Sequence, residues 1–217
     1  MSTADEERAF WDDKAITLEG AKESIAASPE AWNGEVLEKC LDLILPALDA
    51  APHREGRGPR VLDLGCGAGR LTIPIKRLRP QFALTGLDVS EAMLTHAAVA
   101  EEPGHPIRWL LGDGRTLPGN LGRIDAAYSM ITFQHIPRIA QANYIHEVAH
   151  ALVRRGVFRF QVLEGESEVF LGHHVTPLWI YETCEAAGFN VQAIDGMRPF
   201  ASRESAPNAL WVTAVKK

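Results

Sequence analysis

The segment Val61-Leu-Asp-Leu-Gly-Cys-Gly-Ala-Gly-Arg70 constrains this chain more than any other. A short apolar run ends in a carboxylate, Asp63, and is followed at once by Gly65-x-Gly67-x-Gly69. An apolar run of that length bounded by a turn is a buried strand. Glycines at its exit let the backbone bend sharply and let a ligand approach the main chain. The helix expected next presents unpaired N–H groups and the positive end of its dipole. The spacing is GxGxG rather than GxGxxG, and a glycine-rich turn alone leaves open a dinucleotide site or a plain tight turn.

The rest of the chain continues the alternation. Apolar runs predict strands over 60–64, 82–88, 107–111, 124–129, 157–163, 189–194 and 209–215. Helical spacing predicts helices over 34–48, 69–78, 90–100, 139–152 and 177–187, preceded by one or two short helices within the first 33 residues. Ser90 reads as an N-cap, and Gly188 as the stop of the last helix. Strands alternating with helices imply an α/β fold, doubly wound, with a seven-stranded, mostly parallel sheet and helices on both faces. The last two strands have no helix between them, so the final one runs antiparallel. Ligands of such sheets sit beyond the carboxyl ends of the strands.

Chemistry-bearing residues recur at those ends. Asp88 closes the second strand, where a carboxylate accepts ribose hydroxyls. Asp113 and Gly114 follow the third strand, placed for an adenine edge. Met130 and Ile131 follow the fourth and are suited to pack on a base, with Phe133 to His135 towards the reacting group. His135 reads equally as a general base or as a packing histidine.

Composition excludes several classes. With 217 residues, 46% hydrophobic and 23% charged, the chain is long enough for a full core without disulfides or metal. Its net charge of −6 gives no general attraction to nucleic acid or anionic membrane. Cys40, Cys66 and Cys184 have no paired spacing and read as reduced thiols. No apolar run approaches the roughly 20 residues of a membrane span. The N-terminus is acidic, unlike a signal peptide, and the expectation is a soluble cytoplasmic protein.

Taken together, VLDLGCGAGR, LTGLDVSEAML, LLGDGRTLP and IDAAYSMITFQHIP resemble, in order and spacing, the motifs of class I S-adenosylmethionine-dependent methyltransferases, in the style of the small-molecule branch. TPLWIYETCEAAGF is similar to that fold's late helix, and the resemblance covers about residues 55–217. Leu152-Val-Arg-Arg-Gly156 departs from the family's lysine-Pro-Gly-Gly turn. The resemblance implies a Rossmann-like domain over 56–217 and does not extend to the first 33 residues; 1–55 reads as a helical segment capping the site. It implies that Asp63 holds the methionine ammonium and that Gly65 and Gly67 contact the methionine moiety. Asp88 would bind ribose, Val89 and Met93 would line the adenine, Asp113 and Gly114 would bind it, and Ser129 and Met130 would lie beside the cofactor. The cofactor is then S-adenosyl-L-methionine, the product S-adenosyl-L-homocysteine, and the partner a small-molecule acceptor methylated on oxygen or nitrogen, with no metal, nucleic acid or membrane.

Competing readings have their own signatures. A nucleic-acid methyltransferase often carries an (Asn/Asp)-Pro-Pro-aromatic motif, but Ser129-Met-Ile-Thr132 stands there. A non-catalytic protein of this fold, or a nicotinamide dehydrogenase, would keep the glycine turn. His146-Glu147-Val-Ala-His150 matches the HExxH zinc pattern but reads better as a solvated helix face. Arg70, Lys76, Arg77 and Arg79 also read as a solvated basic face, and His173-His174 as a loop pair. Phe10, Trp11 and Trp32 suggest an aromatic lid or plain docking of the N-terminal helices. The acceptor pocket is expected between the N-terminal segment and the stretches 164–176 and 195–207, with Glu164, Glu166, Phe170, His173, His174, Arg198, Phe200 and Arg203.

Overall fold

A side-chain period of two sorts each strand onto two opposite cores. We describe this from a computed structural model, in which residues 4–25, 32, 34–53, 56–166, 168–169, 172–197 and 208–217 are described. The strands are β1 (Arg60–Leu64), β2 (Ala83–Asp88), β3 (Arg108–Leu111), β4 (Ile124–Ser129), β5 (Leu152–Glu164), β6 (Glu168–Val169), β7 (Gly172–Val175), β8 (Phe189–Met197) and β9 (Ala209–Lys216). The helices are α1 (Ala4–Lys14), α2 (Leu18–Ile25), α3 (Gly34–Asp49), α4 (Thr72–Leu78), α5 (Glu91–Ala100), α6 (Arg138–Ala151) and α7 (Pro177–Ala186).

Leu62, Ala127, Phe158, Phe160 and Val212 point to one face, into a core completed by Ile145 and Val148 of α6 and Ile180 of α7. Val61, Ala126, Tyr128, Val157 and Trp211 point to the other, against Leu41, Ile44 and Leu48 of α3 and Ile75 of α4. Helix α3 presents its buried residues at helical spacing, as an amphipathic helix laid on a sheet must.

Strand β1 pairs in parallel with β2 and β4, β2 with β3, and β4 with β5. Strand β9 runs antiparallel between β5 and β8. This is the doubly wound sheet anticipated from the alternation, with one addition. A short antiparallel pair, β6 and β7, extends the far end of β5 and brings the sheet to nine strands among the described residues. The register sets Asp63 opposite Gly86 on one side and Tyr128 on the other. The exits of β1, β2 and β4 therefore meet at one edge, on either side of the glycine turn.

Several local expectations are corrected. Helix α4 begins at Thr72, not at residue 69, because Gly69 has φ +80° and cannot belong to a right-handed helix. Strand β5 begins at Leu152, five residues before the expected start, and absorbs Arg155 at φ +64°. The basic residues near α4 do not form one solvated face. Arg70 is buried, its guanidinium against the sulfurs of Cys40 and Met130. Lys76 is buried too, donating to the carbonyls of Pro80 and Phe82 at 2.8 and 2.7 Å. His173 and His174 lie in β7, with His173 buried, rather than in a loop. His146 and His150 are exposed, and among the described residues no three acidic, histidine or cysteine side chains form a metal-binding group. No described helix is long and apolar enough to cross a membrane.

Candidate functional site

The turn from β1 to α4 is built by its glycines. Gly65, Gly67 and Gly69 have φ of +78°, +53° and +80°, a region L side chains enter at a cost. Gly65 N–H and Cys66 N–H both donate to Leu87 O, at 2.8 and 3.1 Å, which pins the turn against the end of β2. A Cβ on Gly65 would fall onto Thr132 Oγ1 and Cγ2, so the chain after β4 closes directly over this glycine.

Two carboxylates, Asp63 buried and Asp88 partly exposed, organise the turn. Asp63 Oδ2 accepts from Thr72 Oγ1 at 2.6 Å and Tyr128 Oη at 2.7 Å. Burial pushes its pKa up to about 6; the two hydroxyl donors and Arg70 oppose that shift, while the charge of Asp88 adds to it. Asp88 accepts from Gly67 N–H at 2.7 Å through one oxygen and from Ser90 N–H at 3.0 Å through the other. Its pKa is also raised, chiefly by burial. A carboxylate accepts about four hydrogen bonds, so Asp88 keeps capacity for a ligand donor.

Across the mouth lies α1, held by polar latches. Asp12 Oδ1 accepts from Ser90 Oγ at 2.6 Å and Ala92 N–H at 3.3 Å. Arg8 donates to Gly112 O at 3.2 Å, and His96 Nε2 lies 2.8 Å from Ala15 O. Trp11 reaches the ring of His135 edge-on, with centroids 5.2 Å apart, while Trp32 packs on the cluster of Ala15, Ala21 and Met93.

These elements enclose a cavity of about 980 Å³, counted out to its open mouth. Of the residues singled out in the sequence, Trp11, Asp63, Gly65, Gly67, Asp88, Val89, Met93, Gly114, Met130, Ile131 and His135 line it. Ser129 and Asp113 do not. The Ser129 hydroxyl is buried and donates to Leu64 O at 2.8 Å. Asp113 turns its carboxylate into its own loop: Oδ1 accepts from Arg115 N–H at 2.8 Å and Thr116 N–H at 2.7 Å, and Oδ2 from Thr116 Oγ1 at 2.7 Å. Glu164, Glu166, His173 and His174 do not line this cavity, and Phe170, Arg198, Phe200 and Arg203 lie outside the described residues.

Other residues of the site were not singled out in advance. Glu7, Thr132 and Tyr144 line the cavity, as does Arg70, read from the sequence only as part of a basic face, and Tyr128 and Thr72 stand behind Asp63. Ile131 holds φ +64°, an outlier for a β-branched side chain, which costs on the order of 1–3 kcal/mol. Its N–H is held by Gln161 Oε1 at 3.1 Å, so the bend that closes the chain over Gly65 is maintained from β5. No sequence pattern announces that conformation. The wall is mostly apolar, and its charged residues are chiefly acidic: Asp63, Asp88 and Glu7 line it, with Arg70 as the cationic side chain among the described lining residues.

Residues 61–156 match a family described as "Methyltransferase domain". A malonyl-[acyl-carrier protein] O-methyltransferase from Xylella fastidiosa is 33% identical over 90 residues, 41% of this chain and 30% of that protein. A ribosomal RNA small subunit methyltransferase C from Pseudomonas entomophila is 30% identical over 146 residues, 66% of this chain and 42% of that protein. The chain spans no more than half the length of these curated relatives. A Synechocystis magnesium protoporphyrin IX methyltransferase, crystallised with S-adenosylmethionine, superposes with a TM-score of 0.73 at 17% identity over 100% of this chain and 98% of that one. Residues 61–156 thus match the methyltransferase-domain family, and the described helices and strands share the fold of the Synechocystis methyltransferase.

Proposed function

We propose that this chain transfers a methyl group from S-adenosylmethionine to an oxygen or nitrogen of a small molecule. The observation that carries the reading is the charge of the cavity wall, where the carboxylates Asp63, Asp88 and Glu7 outnumber the cation Arg70 among the described lining residues. Such a wall suits a ligand that offers an ammonium, hydroxyls and an amine, and repels the pyrophosphate of a dinucleotide. The residues fit S-adenosylmethionine group by group. The Gly65–Gly67 backbone takes the amino-acid tail, with Asp63 facing its ammonium. Asp88 keeps acceptor capacity for the ribose, and Val89, Met93, Gly114 and Met130 wall the base.

The sulfonium supplies an already activated methyl group, so what remains for the protein is alignment, exclusion of water and, for some acceptors, removal of a proton. Helices α1 and α2 contribute Glu7, Trp11 and Ser24 to the wall and in this reading act as the cap. His135 lies beside Trp11 on the cavity wall, with Gln134 Nε2 at 3.3 Å from its Nε2, and is proposed as the base. His135→Ala is expected to slow turnover by about 10²-fold or more while leaving affinity for S-adenosylhomocysteine within twofold, read by initial rates and calorimetry. Full activity in that variant removes the histidine from the chemistry.

A small acceptor is favoured by the connections around the mouth. Among the described residues, the short link from β5 to α7 holds the β6–β7 pair and no inserted substrate domain. The Xylella and Synechocystis proteins, named for modifying malonyl-[acyl-carrier protein] and magnesium protoporphyrin IX, point the same way. The Pseudomonas ribosomal RNA enzyme favours a second reading, but a net charge of −6 gives no general attraction to a phosphate backbone. Turnover of a small acceptor, rather than of RNA, decides between them, and affinity for the cofactor with no turnover of either leaves a binding protein.

Asp63 gives this reading a pH signature. Its carboxyl, with a pKa raised to about 6 by burial, is protonated below that pH and cannot pair with an ammonium. A cationic tail binds the ionised form, so binding releases a proton near pH 6. Affinity for S-adenosylhomocysteine is expected to rise as pH climbs from 5 to about 6 and to level off above it. Calorimetry in buffers of different ionisation enthalpy measures the released proton. Affinity independent of pH over that window would remove Asp63 from contact with the ammonium.

A further inference from the structure

We propose that Glu7, carried on the N-terminal helix α1, recognises the exocyclic amino group of the cofactor's adenine. The proposal rests on the reading of the cavity as a S-adenosylmethionine site and adds a residue the sheet does not supply.

Glu7 is 3% exposed and lines the cavity. Its Oε1 is buried and has no hydrogen-bond partner among the described residues. Its Oε2 stands 3.6 Å from the Arg115 guanidinium, an ion pair looser than a hydrogen bond. A buried carboxylate oxygen without a donor is costly, and that cost falls away when a ligand N–H arrives. Burial raises the Glu7 pKa, in keeping with a carboxyl lacking enough donors.

The position selects the donor. A Cβ built on Gly114 would lie 3.8 Å from Glu7 Oε2 and 3.5 Å from Val89 Cγ2. The carboxylate thus stands at the end of the cavity walled by Val89, Gly112 and Gly114. A nucleoside with its sugar at Asp88 presents its base towards that end. There a purine with a 6-amino group offers two N–H donors, and a 6-oxo purine offers an acceptor that repels the carboxylate. Asp113, the residue first expected to read this edge, has both oxygens engaged by Arg115 and Thr116. Glu7 is also held in place, because α1 is fixed by Arg8 on Gly112 O and by Asp12 on Ser90 and Ala92.

Calorimetry of the full chain with S-adenosylhomocysteine and with its 6-oxo analogue, S-inosylhomocysteine, tests this. The native chain is expected to prefer the amino compound by about 10- to 100-fold, the range of one charge-assisted hydrogen bond. Glu7→Ala loses most of that preference by weakening only the amino compound. Glu7→Gln, nearly isosteric and able to donate from its amide nitrogen, narrows or inverts the preference, so the proposal does not depend on how well the alanine variant folds. Glu7→Ala and Glu7→Gln that keep the native preference overturn it, as does an Asp113→Asn variant that loses the preference while the Glu7 variants keep it. If the native chain binds neither compound, the cofactor reading falls with it, whereas tight binding of S-adenosylhomocysteine with unchanged preference in the variants removes Glu7 alone.

Discussion

Gly65→Ala is expected to be the most damaging single substitution in the turn, lowering stability by about 2–5 kcal/mol and abolishing measurable affinity for S-adenosylhomocysteine. Two costs combine. The backbone there has φ +78°, which L residues adopt at about 1–2 kcal/mol. The added methyl also meets Thr132, whose Cβ lies 2.7 Å from the ideal position and whose Oγ1 and Cγ2 lie closer still. Thr132 cannot simply retreat, because it follows Ile131, held at φ +64° with its N–H on Gln161. Overpacking of that kind costs about 1–3 kcal/mol more. A second substitution, Thr132→Gly, removes the clash but not the backbone cost, so the double variant should recover part of the loss. Thermal melts of the four proteins of this cycle measure the split. Full recovery would mean the positive φ is not strained, and no recovery would mean the loss arises elsewhere.

Asp88→Ala is expected to weaken S-adenosylhomocysteine by about 1–3 kcal/mol, roughly 5- to 150-fold, through lost charge-assisted hydrogen bonds to the ribose. The carboxylate has a second task, accepting from Gly67 N–H and Ser90 N–H, which ties the glycine turn to the start of α5. Its removal therefore also leaves two backbone donors to find water. Asp88→Asn separates the roles, since one amide oxygen remains an acceptor while the charge is gone, and it should fall between native and alanine in both affinity and melting temperature. Unchanged affinity in Asp88→Ala would refute the ribose role.

Strand exits were legible wherever an apolar run ended in a carboxylate or glycine. Runs closing at Asp88 and before Gly65 left no freedom in where β1 and β2 stop. The helix after Ser90 was equally readable, its side chain accepting from Met93 N–H as an N-cap should. The start of α4 was not, because a glycine inside an apolar pattern reads as helix until its φ is known. The β6–β7 pair escaped notice because two- and four-residue strands carry too little alternation to register.

The site was legible where the glycine turn and the ends of β1, β2 and β4 supply it, and opaque where packing does. Asp5, Glu6 and Glu7 read alike, as acidic residues suited to the first turn of a helix. Only the rotation of α1 against the β2 and β3 loops decides that Glu7 turns inward. Lys76 shows the same ambiguity in reverse, a cation in a basic run that folds back onto two carbonyls. Asp113 illustrates a third case, in which a carboxylate in a Gly-Asp-Gly loop serves its own turn.

A crystal structure of the full chain grown with S-adenosylhomocysteine tests the central claim most directly. The account predicts the amino-acid tail over Gly65 and Gly67 with its ammonium facing Asp63, the ribose on Asp88, and the base between Val89, Gly114 and Met130. A nucleoside seated elsewhere, or crystals in which this cavity stays empty at saturating ligand, would contradict it.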